Sequence, residues 1–244
     1  MTHFGDRLNE ANRRSETPLC MGIDPHSSMI PALFGDASAP TSSDAAIRVI
    51  DDFSMACLEQ AIGKVAAIKP QAAFFEQQGP AGMQILQNLG RAAIDADLLV
   101  IMDAKRGDIG STSRAYAAGW IGHDAPFPSD ALTINPWLGI DTLDPFLKRA
   151  DETDSGLFIL NRTSNPGAGD LQDQVVDGRP AVADGRLRAA RPRHPDAEGA
   201  VGRGAEAAEG GLQAAHGAAV VVHAAEGAQV AEHEAAALRP HGDV

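Results

Sequence analysis

A parallel α/β fold, a (β/α)8 TIM-type barrel left incomplete by its C-terminal quarter, is what this 244-residue sequence predicts. Three observations lead there. Short apolar runs alternate with longer amphipathic segments, the pattern of parallel strands with helices packed outside them. Each run ends on a polar residue, in turn Asp24, Lys69, Asp103, Asn135 and Asn161, and a barrel gathers such strand ends at one mouth. The first turn, Asp24-Pro25-His26-Ser27-Ser28, has no glycine. A doubly wound sheet would instead concentrate function at one switch point, with a glycine-rich first turn.

The elements follow in order. Leu19–Asp24 reads as a strand halted by Pro25. Asp44–Gly63 reads as a helix capped by Ser42 or Ser43, with Ile47, Ile50, Phe53, Ala56, Cys57 and Leu58 near 3.6-residue spacing. Val65–Lys69 is a second strand, halted by Pro70, and Ala81–Ala96 a second helix. Leu98–Asp103 is a third strand, and Ser111–Trp120 a third helix that Ser111 or Thr112 can cap. Ala131–Asn135 and Gly156–Asn161 are strands four and five, with a short helix near Leu143–Arg149 between them.

Composition narrows the function. With 44% hydrophobic and 22% charged residues the chain is globular rather than disordered. A formal net charge of −13 argues against nucleic acid as a partner, because phosphate binding needs a basic surface. Cys20 and Cys57 are too few for a disulfide framework and read as reduced core thiols. The N-terminal segment carries charges throughout and has no apolar core like that of a signal peptide. No run approaches the length of a membrane span. The expectation is a soluble, cytoplasmic protein.

The chain divides at about residue 181. Residues 182–244 contain 19 Ala, 9 Gly, 6 Arg and 5 His, and no Ile, Phe, Tyr, Trp, Met, Ser, Thr, Asn, Lys or Cys. Barrel strands and loops draw on those missing types. Only Ala218–Val222 looks like a strand. His194, His216, His223, His233 and His241 show no metal-ligand spacing. An Ala-rich helical tail is one reading, but its glycines break most candidate helices. The preferred reading is a GC-rich gene translated out of frame after Ala181, since the codons of Ala, Gly, Arg and Pro abound in such a frame.

The densest chemistry lies in MDAKRGDIGST, residues 102–112. Asp103 and Lys105 are two apart, so on a strand they share one face. Asp108 follows in the loop, and Lys69 ends the neighbouring strand at the same mouth. Two ammonium groups and two carboxylates would then alternate. Each holds its neighbours ionised, and a fixed ammonium beside a carbon gaining negative charge stabilises that carbanion and can protonate it. A nearby carboxylate disfavours a second anion. Nothing in such an array calls for a metal or organic cofactor. A salt-bridged loop at a barrel rim is the structural alternative.

LCMGIDPH, AIKPQAAFFE, MDAKRGDIGST, LTINPWLGID and LNRTSNPGAGDLQ, in this order, resemble the orotidine 5′-phosphate decarboxylases, most of all the bacterial branch with DAKRGDIGST. The resemblance spans residues 1–181, the barrel portion. It implies cofactor-free conversion of orotidine 5′-monophosphate to UMP and CO2 in pyrimidine synthesis, by a homodimeric barrel. It implies Lys105 as proton donor to C6, Asp103 as the carboxylate beside the departing CO2, and Lys69 and Asp24 as ribose contacts. It implies that Asp108 and Thr112 reach into the partner's site and that Ser164 reads the pyrimidine edge. Asn135 and Asn161 would line the mouth.

The tail departs from that family. Its phosphate grip, a glutamine-bearing loop after strand seven and an arginine after strand eight, has no counterpart around Gln213, Gln229, Arg203 or Arg239. Remote phosphate binding supplies energy for orientation at the reacting carbon. Three readings therefore compete with an active decarboxylase. They are an inactive truncated or frameshifted homologue, a sugar-phosphate decarboxylase or aldolase of a sister barrel that generally binds Mg2+, and a binding module without catalysis.

Overall fold

The computed structural model describes residues 3–36, 38–176, 179–180 and 219–224. Eight strands and seven α-helices run in chain order through them: α1 (Phe4–Arg14), β1 (Cys20–Ile23), α2 (Asp44–Ala61), β2 (Ala67–Pro70), α3 (Ala72–Glu76), α4 (Gly79–Asp95), β3 (Leu99–Arg106), α5 (Gly110–Trp120), β4 (Ala131–Ile134), α6 (Asp144–Glu152), β5 (Gly156–Arg162), α7 (Ala168–Leu171), β6 (Val175–Val176), β7 (Arg179–Pro180) and β8 (Ala219–Ala224). One sheet has the order β1-β2-β3-β4-β5-β8, every neighbouring pair parallel. β6 and β7 form a separate antiparallel pair. Among the described residues β1 and β8 each have one strand neighbour, so the sheet is an arc of a barrel. The strand expected at Ala218–Val222 is β8, lying against β5. His223 falls within β8; the other tail residues singled out above lie outside the described residues, as does every side chain of β8.

Alternation along the strands sorts side chains between the two faces. Ile23, Ile68, Val100, Met102, Leu132, Ile134, Leu157 and Ile159 face the helices, packed with Leu58, Leu86, Leu89, Trp120 and Phe146. Ala67, Leu99, Ile101 and Ala131 face inward and pack on Phe4 and Ala11 of α1, with Leu8 and Phe158 beside them. α1 therefore covers the inner face near the strand starts. Its only apolar stripe is Phe4, Leu8, Ala11, and Ser15 closes it by donating to the Ala11 carbonyl at 2.8 Å. Arg7 anchors it to the buried carboxylate of Asp130, just before β4, and to the Asp154 carbonyl at 3.2 Å.

The Phe4 ring fills the space over Gly156 at the start of β5, where any Cβ would collide with it. Phe4 is wholly buried and meets Phe158 edge-on at 6.1 Å. Gly156→Ala is therefore expected to destabilise the chain by ~1–3 kcal/mol through overpacking, read as a lower urea midpoint. An unchanged midpoint would mean that α1 can shift freely.

Several expectations need correction. α1 and α3 were not foreseen. β3 runs three residues past the expected end, because Arg106 pairs again with Ile134 of β4 after a register shift between Met102 and Arg106. In α2 the cap is Ser43, accepting from Ala46 N at 3.2 Å, as expected. Its buried face, however, is Ala46, Val49, Ile50, Ser54, Leu58 and Ala61, with Ile47, Phe53 and Cys57 at its margin. Neither Ser111 nor Thr112 caps α5; both lie inside its first turn, and Ile109 occupies the cap position without a side-chain bond. Ser113 instead donates to the Asp108 carbonyl. Cys20 is not a core thiol but exposed, while Cys57 is half-buried; neither is in a disulfide.

Candidate functional site

The residues picked out of the sequence stand at the C-terminal ends of successive strands. β1 and β2 pair with Gly22 opposite Lys69 and Ile23 opposite Pro70. Asp24 follows directly, and its carboxylate folds back over Gly22, where an added Cβ would sit 2.9 Å from Oδ2. The missing side chain of Gly22 thus leaves Asp24 room beside Lys69. Gln71 continues the line, bridged to Asp103 of β3 and with its N–H donated to the Ile23 carbonyl at 3.1 Å.

Asp103 is the centre. Its Oδ2 accepts from Lys69 Nζ at 2.8 Å and from Gln71 Nε2 at 3.1 Å. Its Oδ1 accepts from Lys105 Nζ at 2.5 Å and from Thr133 Oγ1 at 2.9 Å. Two donors on each oxygen leave the carboxylate no freedom to rotate. Burial alone would raise its pKa, but the bonds from Lys105 and Lys69 and their charges outweigh that and hold it below the ordinary value. Lys69 is the reverse case: burial disfavours its charge, yet Asp103 and, further off, Asp24 hold it above its usual value. Asp24 is exposed as a residue, but its carboxyl is partly desolvated. That desolvation raises its pKa, with Lys69 and Lys105 opposing and Asp103 adding.

Lys105 adopts φ 48°, a left-handed conformation that costs a non-glycine residue roughly 1–3 kcal/mol. Its N–H is donated to Thr133 Oγ1 at 2.9 Å. The side chain is 44% exposed, the most open of the three charged groups that bond together. It is therefore the ammonium that an incoming molecule would meet.

Asp108 stands outside this array in its own chain, its Oδ1 accepting from Ile109 N at 2.7 Å. The fourth charge beside Lys69, Asp103 and Lys105 is Asp24. Thr112 is exposed in the first turn of α5. Asn135, just after β4, is exposed, with Oδ1 accepting from Trp137 N at 2.9 Å and its N–H donated to the Arg106 carbonyl at 2.8 Å. Asn161 is half-buried in β5. Ser164 is exposed in the following loop, held from both sides by Thr163 Oγ1 on Asn165 Oδ1 at 2.6 Å and Thr163 N on Gln172 Oε1 at 2.8 Å.

Sequence reasoning missed Gln71 and Thr133, which supply half of the bonds to Asp103. The signal was the same two-residue step that linked Asp103 and Lys105: Gln71 is two after Lys69, and Thr133 two before Asn135. Among the described residues no group of three His, Cys, Asp or Glu side chains is placed to hold a metal ion, and no helix is long and apolar enough to cross a membrane.

A family model described as "Orotidine 5'-phosphate decarboxylase / HUMPS family" matches residues 17–244. An orotidine 5′-phosphate decarboxylase of Rhodopirellula baltica is 42% identical over 183 residues, which cover 73% of this chain and 61% of that protein. One of Streptomyces coelicolor is 44% identical over 180 residues, covering 73% and 62%. A crystal structure from Streptomyces avermitilis, assigned as an orotidine 5′-phosphate decarboxylase, superposes with a TM-score of 0.65 at 42% identity, covering 75% of this chain and 61% of that one. The chain thus spans about three fifths of the length of the curated relatives it matches.

Proposed function

The chain belongs to the orotidine 5′-phosphate decarboxylase / HUMPS family, and we propose that it converts orotidine 5′-monophosphate to UMP and CO2 in pyrimidine biosynthesis. The observation that carries this reading is the Asp103 carboxylate, held by four donors between Lys69 and Lys105. A substrate carboxylate placed beside Asp103 meets a fixed negative charge. Breaking its bond to C6 leaves the electron pair on that carbon, next to the Lys105 ammonium. Lys105 stabilises the pair and donates its proton to C6 as CO2 departs. Lys69 and Asp24 take the ribose hydroxyls, Ser164 the pyrimidine edge, and Asn135 and Asn161 line the mouth. No metal or organic cofactor has a part in this scheme.

The proposal includes a cytoplasmic homodimer in which Asp108 and Thr112 complete the partner's site. The loops after β3 and β4 lie side by side there and expose Ile109, Trp137 and Leu138, with Trp137 72% exposed. A second copy would cover that apolar surface. The out-of-frame origin of residues 182–244 remains part of the proposal, and resequencing the gene tests it.

Loss of substrate absorbance on mixing the purified chain with orotidine 5′-monophosphate is the direct test. Turnover unaffected by EDTA is expected; turnover abolished by EDTA would point to the Mg2+-binding sugar-phosphate branch instead. A second reading, a folded homologue without turnover, is favoured by the two fifths of each relative that the alignment leaves unmatched. Absent turnover from soluble, folded protein would establish it.

A further inference from the structure

β3 is irregular at the residue proposed to deliver the proton. In a regular strand, side chains two apart stand on one face ~6.6 Å from one another, and backbone φ stays negative. Here the register slips between Met102 and Arg106, and Lys105 takes φ 48°. With the chain in this conformation, Nζ lies 2.5 Å from Asp103 Oδ1.

One hydroxyl touches both partners. Thr133 Oγ1 donates to Asp103 Oδ1 and accepts from the Lys105 N–H, each at 2.9 Å. A hydroxyl has one proton, and an ionised carboxylate can only accept. The proton is therefore committed to Asp103, and a lone pair is left facing the Lys105 amide. On the far side of Lys105 the Arg106–Gly107 peptide is held as well, with Asn135 N donating to the Arg106 carbonyl at 2.8 Å. The Arg106 guanidinium is seated among the helices by Glu76 and by the Trp120 ring, 4.5 Å away.

We infer that Thr133 is a positioning residue of this site: its hydroxyl holds the backbone of Lys105 in the turned conformation that sets the ammonium on Asp103. The consequence for turnover rests on the decarboxylase reading, but the hold on Lys105 does not.

Thr133→Val keeps the shape of the side chain and removes the hydroxyl; Thr133→Ser keeps the hydroxyl. Hydrogen exchange at the Lys105 amide, followed by NMR in the full chain, is expected to accelerate roughly tenfold in Thr133→Val, the equivalent of one lost hydrogen bond, and to stay near the native rate in Thr133→Ser. With orotidine 5′-monophosphate, kcat is expected to fall ~10- to 100-fold in Thr133→Val as the ammonium drifts from its position. KM should be little changed and Thr133→Ser should restore kcat. Native protection of the Lys105 amide in Thr133→Val overturns the inference, as does a serine variant as impaired as the valine one. A native chain without turnover defeats the decarboxylase reading instead, and the exchange measurement then decides the role of Thr133 alone.

Discussion

Lys105→Ala is expected to lower the turnover of orotidine 5′-monophosphate by roughly 10⁴-fold, the upper range for loss of a general acid, while leaving the fold nearly as stable as before. The asymmetry follows from where the lysine sits. Its side chain is 44% exposed, so its pairing with Asp103 is screened by solvent and adds at most ~1 kcal/mol to folding. Asp103 also keeps Lys69, Gln71 and Thr133 when Lys105 is gone. What disappears is the more open of the two ammonium groups on Asp103. Asp103→Ala should impair turnover as well but for a different reason, because it leaves Lys69 and Lys105 facing each other without the carboxylate that fixes both. Lys64→Ala is the control: that lysine contacts Gln60 on the exposed end of α2, remote from the array. Initial rates of absorbance loss, beside melting curves for each variant, check the prediction. A Lys105→Ala protein that turns over at a rate near the native one would remove Lys105 from the proposed chemistry.

What could be read from the sequence, and what could not, divides along physical lines. The strands were legible because their helix-facing residues, such as Ile68, Val100 and Leu132, form short apolar runs stopped by proline or charge. The pairing of Asp103 with Lys105 was legible because alternation puts both on one face, and Lys69 because the neighbouring strand ends at the same height. α1 was not, since three apolar residues in a charged segment give little periodicity. Its helix is secured by the closing sheet it packs beneath, not by its own sequence. α3 was missed because a single turn, Ala72–Glu76, is too short to show a period. Sequence alone ends β3 at Asp103, because charged residues ordinarily mark a strand's exit. Here Thr133 and Asn135 hold them in the sheet. Proximity in sequence suggests Asp108 for the array, but it lies beyond the end of β3 with its carboxylate on Ile109 N, and Asp24, 79 residues upstream of Asp103, takes that place.

The most destructive single change to the fold is expected at the opposite end of the strands, at Asp130. Its side chain is almost wholly buried, with Oδ2 accepting from Val100 N at 2.8 Å and Oδ1 contacted by Arg7 and by His123 Nε2, the latter at 2.8 Å. Its backbone continues the same junction, donating to the Val100 carbonyl and accepting from Gly156 N. One carboxylate therefore ties α1, the start of β3 and the loop before β4 together. Asp130→Ala strands the Arg7 charge and the Val100 N–H, and should destabilise the chain by on the order of 3 kcal/mol, lowering Tm by about 6 °C or more. The same cluster sets a pH dependence. Burial would raise the Asp130 carboxyl, but the His123 bond and the Arg7 charge hold it below its ordinary 3.8. Its contribution to stability is thus present above that value and lost as pH falls through the depressed one. His123 is raised above its ordinary 6.5, chiefly by its bond to Asp130. Its contribution is present below 6.5 and lost as pH rises through the raised value. Both act together only between about pH 4 and 6.5. Urea denaturation across pH 4–9 should therefore show stability declining above neutrality in the native chain and a flatter profile in His123→Ala. Equal slopes for the two would mean that the imidazole, half exposed at the surface, carries no charge that Asp130 responds to.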